Sequence, residues 1–241
     1  MFSSFAETCN KLNTMASGVI GNWSRIGDNV LPEITDYSAI GYNGHLSPLG
    51  GFEAINKTAV KESRNGYLKL LGDHIFLPVL PGTTNHDFKL QIEATFPVDT
   101  DTNCAVLAIE LRWMSGIVLE QFTDHQFRYF ILSHQRHNGT KLSNESLIKI
   151  PMDEKLNKPF LLEIEGFGKN YLSFSISYQL KSQYAKEKRK MALKVKQRIF
   201  GLWLASRIPN LIEQNKIPDG CFFDIKDVTL SRTFVDLQFL S

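Results

Sequence analysis

The 241-residue sequence predicts an all-β fold, an antiparallel β-sandwich or jelly roll with an N-terminal amphipathic helix. Three observations carry that expectation. Apolar and polar residues alternate with a period of two through most of the chain after residue 66, as in strands buried on one face and wetted on the other. Short turns rich in Gly, Asn and Asp separate these stretches, with none of the crossover helices that a parallel sheet needs. Aromatic residues reach 11%, with 17 Phe, which suits stacked sheets better than a helical bundle.

The elements follow in order. Phe2, Phe5, Cys9, Leu12, Met15, Ala16 and Val19 recur at steps of three or four, so 1–21 reads as a helical arm ended by Gly18 and Gly21. Residues 22–65 carry Pro32, Gly41, Gly44, Pro48, Gly50 and Gly51 and read as an irregular connection with one short strand at 37–42. The sandwich is assigned to 66–241. It opens with a hairpin of 66–71 and 74–78 about Gly72-Asp73. Strands are then expected at 88–96, 105–113, 117–122, 127–133, 146–150, 160–165, 171–180, 198–206 and 221–232.

Composition narrows the function classes. A formal charge of +2 gives no ground for nucleic-acid binding. No apolar run approaches the ~20 residues of a membrane span, so no membrane insertion is expected. Glu7 and Lys11 interrupt the N-terminus and no basic region precedes an apolar one, so no signal peptide is read and synthesis is expected in the cytoplasm. The glycosylation sequons at Asn22, Asn56, Asn138 and Asn144 are therefore read as chance. Cys9, Cys104 and Cys221 are sparse and odd in number, and read as free thiols rather than a disulfide framework.

The order of pieces from Phe88 to Arg232 resembles the concanavalin A-like lectin/glucanase superfamily, in particular laminin G-like jelly rolls. The resemblance rests on the hairpin Phe160-Leu-Leu-Glu-Ile-Glu-Gly to Tyr171-Leu-Ser-Phe-Ser-Ile and on the closing strand Phe222-Phe-Asp-Ile-Lys-Asp-Val-Thr-Leu. It implies a curved two-sheet sandwich whose concave face or loop rim binds a glycan. Glucanases of that group carry Glu-x-Asp-x-Glu on one strand. This chain has only Glu163-Ile164-Glu165, where Leu162 and Ile164 claim the buried face and leave both carboxylates on a solvated one.

Other candidates are weaker in chemistry. Asp99, Asp101 and Asn103 place oxygens at alternate positions and make calcium the one cofactor left open. An EF-hand is excluded, because Cys104 stands where the loop needs Gly. Trp23, Tyr129, His134 and His137 are the candidate glycan contacts, with Trp23 expected in an exposed loop and Trp113 and Trp203 in the core. The basic run holding Lys186, Lys188, Arg189, Lys190, Lys194 and Lys196 reads as a loop or short helix between strands. Phe2, Phe5, Leu12 and Met15 on the arm, with Lys188, Arg189 and Lys190, are the candidate subunit contacts. The function expected is non-catalytic: a jelly-roll subunit of a larger homo- or hetero-oligomeric assembly, such as a virion, tail or surface complex, with glycan-binding capacity. A stand-alone lectin-like module or a degenerate glycoside hydrolase is the alternative.

Overall fold

The structure, a computed structural model, describes residues 18–47, 60–62, 65–79, 87–111, 115–136, 140–142, 145–152, 159–167, 171–180, 183–193, 198–208 and 220–232. These stretches form sixteen strands, and in strands such as β6, β7 and β11 the alternation of apolar and polar side chains buries one face. They are β1 (Val19–Trp23), β2 (Glu33–Ile34), β3 (Gly44–Ser47), β4 (Val60–Glu62), β5 (Tyr67–Leu70), β6 (His74–Pro78), β7 (Phe88–Thr95) and β8 (Cys104–Leu111). After them come β9 (Ser115–Thr123), β10 (Phe127–Arg136), β11 (Ser146–Pro151), β12 (Pro159–Phe167), β13 (Tyr171–Leu180), β14 (Gln183–Ala192), β15 (Ile199–Leu204) and β16 (Phe223–Arg232).

The strands form two antiparallel sheets. The first runs β14-β13-β12-β7-β16-β5-β4, and the second runs β11-β10-β9-β8-β15-β6-β3-β2. β16 is long enough to serve two partners along its edge opposite β7. Phe223–Ile225 pairs with β5, and the stretch from Val228 to Ser231 pairs with β1. Phe88, Leu90, Ile92 and Ala94 of β7 face Leu107, Ile109, Leu119, Phe130 and Leu202 of the second sheet within one buried cluster. Each of these Leu, Ile and Phe side chains contributes about 1.5–3 kcal/mol when fully buried.

Several sequence expectations change. Residues 1–17, with Phe2, Phe5, Leu12 and Met15, lie outside the described residues, as do His137, Trp113, Lys194 and Lys196. Val19, the last residue of the proposed helical stripe, sits in β1, because β1 continues the first sheet beside β16. The expected strand at 37–42 is a loop. Asp36 holds it closed, since its carboxylate accepts the backbone N–H groups of Asn22 (2.9 Å), Ser38 (2.8 Å) and Tyr42 (2.8 Å). The strands nearby are β2 and β3 instead. The described part of the basic run, Lys186 to Lys190, is neither loop nor helix but lies in β14, the edge strand of the first sheet.

Two of the three cysteines are not free thiols. Cys104 and Cys221 form a disulfide across 117 positions, tying the start of β8 to the segment that enters β16. Trp203 is not in the main core. It lies half-buried on the outer face of the second sheet, against Phe76 (4.4 Å between ring centres), with Ala108, Val118 and Ile208. The segment after β15 folds over this face. Arg207 there pairs with buried Glu120, and a side chain at Gly116 would strike Ile208.

Candidate ligand-binding cleft

At one end of the sandwich, the β9–β10 hairpin faces the 97–103 segment across a cleft of about 970 Å³. The hairpin side is built by register. Tyr129 and Phe122 are cross-strand partners, and their rings stack 4.6 Å apart, within 8° of parallel. Asp124 organises the turn between them. One carboxylate oxygen accepts the backbone N–H groups of Gln126 (2.7 Å) and Phe127 (2.6 Å), and the other accepts the Tyr129 hydroxyl (2.7 Å). The hydrogen bond from Tyr129 holds Asp124 below the usual carboxylate range and raises the Tyr129 phenol. The Lys149 ammonium lies 3.5 Å from the centre of the Phe127 ring and 5.5 Å from that of Tyr129, fixing the aromatic group from the β11 side.

The opposite wall is pinned from beneath. Buried Arg128 donates to the Pro97 carbonyl (2.6 Å) and to Gln121 Oε1 (2.8 Å), and pairs with Asp99. Burial lowers the Arg128 pKa and Asp99 works against that shift. Gln121 in turn donates to the Val98 carbonyl (3.1 Å). Thr123 and Thr100 exchange backbone and hydroxyl hydrogen bonds across the cleft floor, with the Thr123 N–H reaching the Thr100 carbonyl at 2.7 Å. What opens to solvent between the walls is a Phe122 face, the carboxylates of Asp99, Asp101 and Asp124, Thr100 and His125. Such a set offers hydrogen-bond acceptors beside a flat apolar ring, on a framework already held in place.

The cleft joins candidates that the sequence treated separately. Tyr129, a proposed glycan contact, backs Phe122, while Asp99 and Asp101, proposed for calcium, line the facing wall. Asn103 lies exposed just before Cys104. Among the described residues no three His, Cys, Asp or Glu side chains converge on a point where a metal could sit. Two glycan candidates fall elsewhere. Trp23 is 1% exposed, with its indole N–H donating to the Tyr42 carbonyl (3.0 Å) and its ring filling the space that Gly21 leaves open. His134 is buried in β10, and burial lowers its pKa. Lys188, Arg189 and Lys190 are exposed on β14, at the edge of the first sheet, whereas this hairpin belongs to the second; β14 meets β11 there, with the Ser146 hydroxyl donating to the Lys190 carbonyl (2.8 Å). Phe122, Asp124 and Arg128 were missed. The signal was present in Asp124-x-x-Phe127, a side-chain-capped turn that sets residues 122 and 129 opposite one another.

Glu163 and Glu165 do lie on the outer face of β12, but Glu163 is buried there. It accepts from Gln91 (3.0 Å), Lys89 (2.6 Å) and Lys186. Burial would raise its pKa, yet the hydrogen bonds from Lys186 and Lys89 outweigh burial and hold it down at about 2.

No protein-family model matches the chain, and no curated protein sequence matches it. Similarity is found among solved structures. The binding domain of botulinum neurotoxin DC in complex with SialylT aligns with a TM-score of 0.54 and 13% identity, over 91% of this chain and 48% of that one. The CBM2 module of the evolved Dit of Lactobacillus casei BL23 phage J-1 aligns with a TM-score of 0.52 and 8% identity, over 91% of this chain and 97% of the module. Trypanosoma rangeli sialidase in complex with sialic acid gives a TM-score of 0.55 and 12% identity, over 90% of this chain and 31% of the enzyme. The chain thus spans about half the length of the neurotoxin domains and about a third of the sialidase. At these identities the shared feature is the two-sheet β-sandwich fold.

Proposed function

We propose that the chain is a non-catalytic glycan-binding module, an adhesive subunit of a larger assembly, and that its ligand is a neutral sugar held in the cleft between the 97–103 segment and the β9–β10 hairpin. The carrying observation is the combination of the stacked Phe122–Tyr129 pair with Asp99, Asp101 and Asp124 around one opening. A pyranose presents an apolar C–H face to a ring and paired hydroxyl donors to carboxylates, and the preset turn keeps the cost of ordering the site low. Three carboxylates disfavour an anionic sugar such as sialic acid by like-charge repulsion. A hydrolytic reading is not supported at Glu163–Glu165. A general acid needs a raised pKa, whereas Glu163 is held near 2 between lysines.

The assembly part of the reading is favoured by the phage Dit module, which the chain matches over nearly the whole length of both. Light scattering on the purified chain is expected to show species larger than one copy, and a persistent monomer would count against that part alone. The glycan part is tested on an array at neutral pH. Neutral hexose-containing glycans are expected to bind and sialylated ones not, with Phe122→Ala and Asp124→Ala each weakening binding about tenfold or more. An array without a binder, or one in which both variants bind like the parent, removes it.

A further inference from the structure

We infer that the same rim takes a linear neutral oligosaccharide rather than a single sugar, with a second stretch of the chain lying in an adjacent cleft; this rests on the glycan reading above. The adjacent cleft, of about 470 Å³, opens between β5, the end of β7 and the start of β16. Its walls include Tyr67, Lys69, Thr95 and Asp224, and Val98 and Phe222 form its border. Val98 belongs to this cleft and the next residue, Asp99, to the first, so the two openings abut across one peptide bond.

The border is an exposed apolar saddle. Val98 is 60% exposed and Phe222 44%, and the Val98 N–H donates to the Phe222 carbonyl (2.8 Å). Both residues are held there from below. Gln121 binds the Val98 carbonyl, Arg128 binds the carbonyl of Pro97, and Phe222 follows the disulfide-bonded Cys221. The backbone bond between them sets these two exposed apolar side chains next to each other where the clefts meet. A chain of sugar rings covers them, with ring faces crossing the saddle and hydroxyl edges reaching polar groups on either side.

Those polar groups differ between the clefts. The first offers mainly acceptors, whereas the second adds the Lys69 ammonium and the polar edge of Tyr67. The Tyr67 hydroxyl donates to Glu93 (3.1 Å), and Glu93 is also bound by Lys226 (2.9 Å). The donor-and-acceptor lining suits neutral hydroxyls in both directions, and linking two weak subsites through one ligand raises affinity without new contacts.

The test is isothermal titration with neutral ladders of glucose, galactose, mannose and N-acetylglucosamine, from monosaccharide to hexasaccharide. For the ladder that binds, affinity is expected to climb about tenfold or more with length and then level off. Phe222→Ala and Lys69→Ala are each expected to flatten that climb, while Asp124→Ala weakens every length. Equal affinity for short and long members, with Asp124→Ala still weakening binding, would overturn the two-cleft inference and leave the glycan reading standing. Equal losses at all lengths in Phe222→Ala would also overturn it. No binding by any ladder would remove both.

Discussion

Arg128 is 2% exposed, and its guanidinium meets the Pro97 carbonyl, Gln121 Oε1 and Asp99, while its charge lies 5.2 Å from the centre of the Phe96 ring. Removing it strands buried acceptors under the rim. Arg128→Ala is expected to destabilise the fold by about 3 kcal/mol in urea unfolding and to weaken ligand binding with it. Glu163 gives a pH prediction. Its folded pKa of about 2 lies below the ordinary 4.5, so the stability it adds is complete above pH 4.5 and is lost as pH falls toward 2. Thermal unfolding of Glu163→Gln across that range should therefore show a shallower acid dependence than the parent. Neither role was open to sequence reading. An Arg and a Glu at polar positions of alternating strands look solvated, and only the neighbouring strands reveal what covers them. Trp23 shows the same blindness in reverse, since Gly21 and Asn22 beside it suggested a loop, whereas the glycine leaves room for the ring in a buried strand.

Most long strands were legible and the shortest were not, while β5 and β6 were placed but not as the expected hairpin, since they lie in different sheets. β7, β12 and β13 span eight to ten residues with clean alternation, and in β13 the apolar Leu172, Phe174 and Ile176 mark the core side against Ser173, Ser175 and Ser177 on the other. β2 and β3 have two and four residues among glycines and a proline, too few for a period of two to register. β14 failed for a different reason. Its charges mask a strand, although Lys186, Lys188 and Lys190 keep the strand spacing. Lys186 and Lys188 lean across the short side chains of β13 to reach Glu163 and Glu165. Charged side chains also keep an edge strand from pairing with another copy. Replacing Lys186, Lys188 and Lys190 together by Val is expected to cause concentration-dependent self-association, seen as a shift in sedimentation velocity. A triple variant that sediments like the parent would show that the edge is guarded by something else.

A disulfide ties the start of β8 to the segment that enters β16, at the end of the sandwich proposed to bind the ligand. Cys104 begins β8 directly after the 97–103 wall, and Cys221 precedes Phe222 on the saddle. Closing a loop of 117 positions restricts the unfolded chain strongly, so reduction, or Cys104→Ala with Cys221→Ala, should lower stability by about 2–4 kcal/mol in denaturant titration. Three widely spaced cysteines gave no hint of this pairing, because the turn geometry that brings residues 104 and 221 together is a property of two sheets and not of any local stretch. The site was readable only in fragments for the same reason. Tyr129, Asp99 and Asp101 were each noticed, but their convergence depends on β9 and β10 meeting the segment between β7 and β8.

Backbone amide shifts in a nuclear magnetic resonance titration with the tightest-binding neutral oligosaccharide put that convergence to the test. Perturbations are expected to cluster at 98–103, 122–129 and 222–224. Shifts concentrated on β14, on the outer face around Trp203, or spread evenly without saturation would contradict a binding rim at this end of the sandwich.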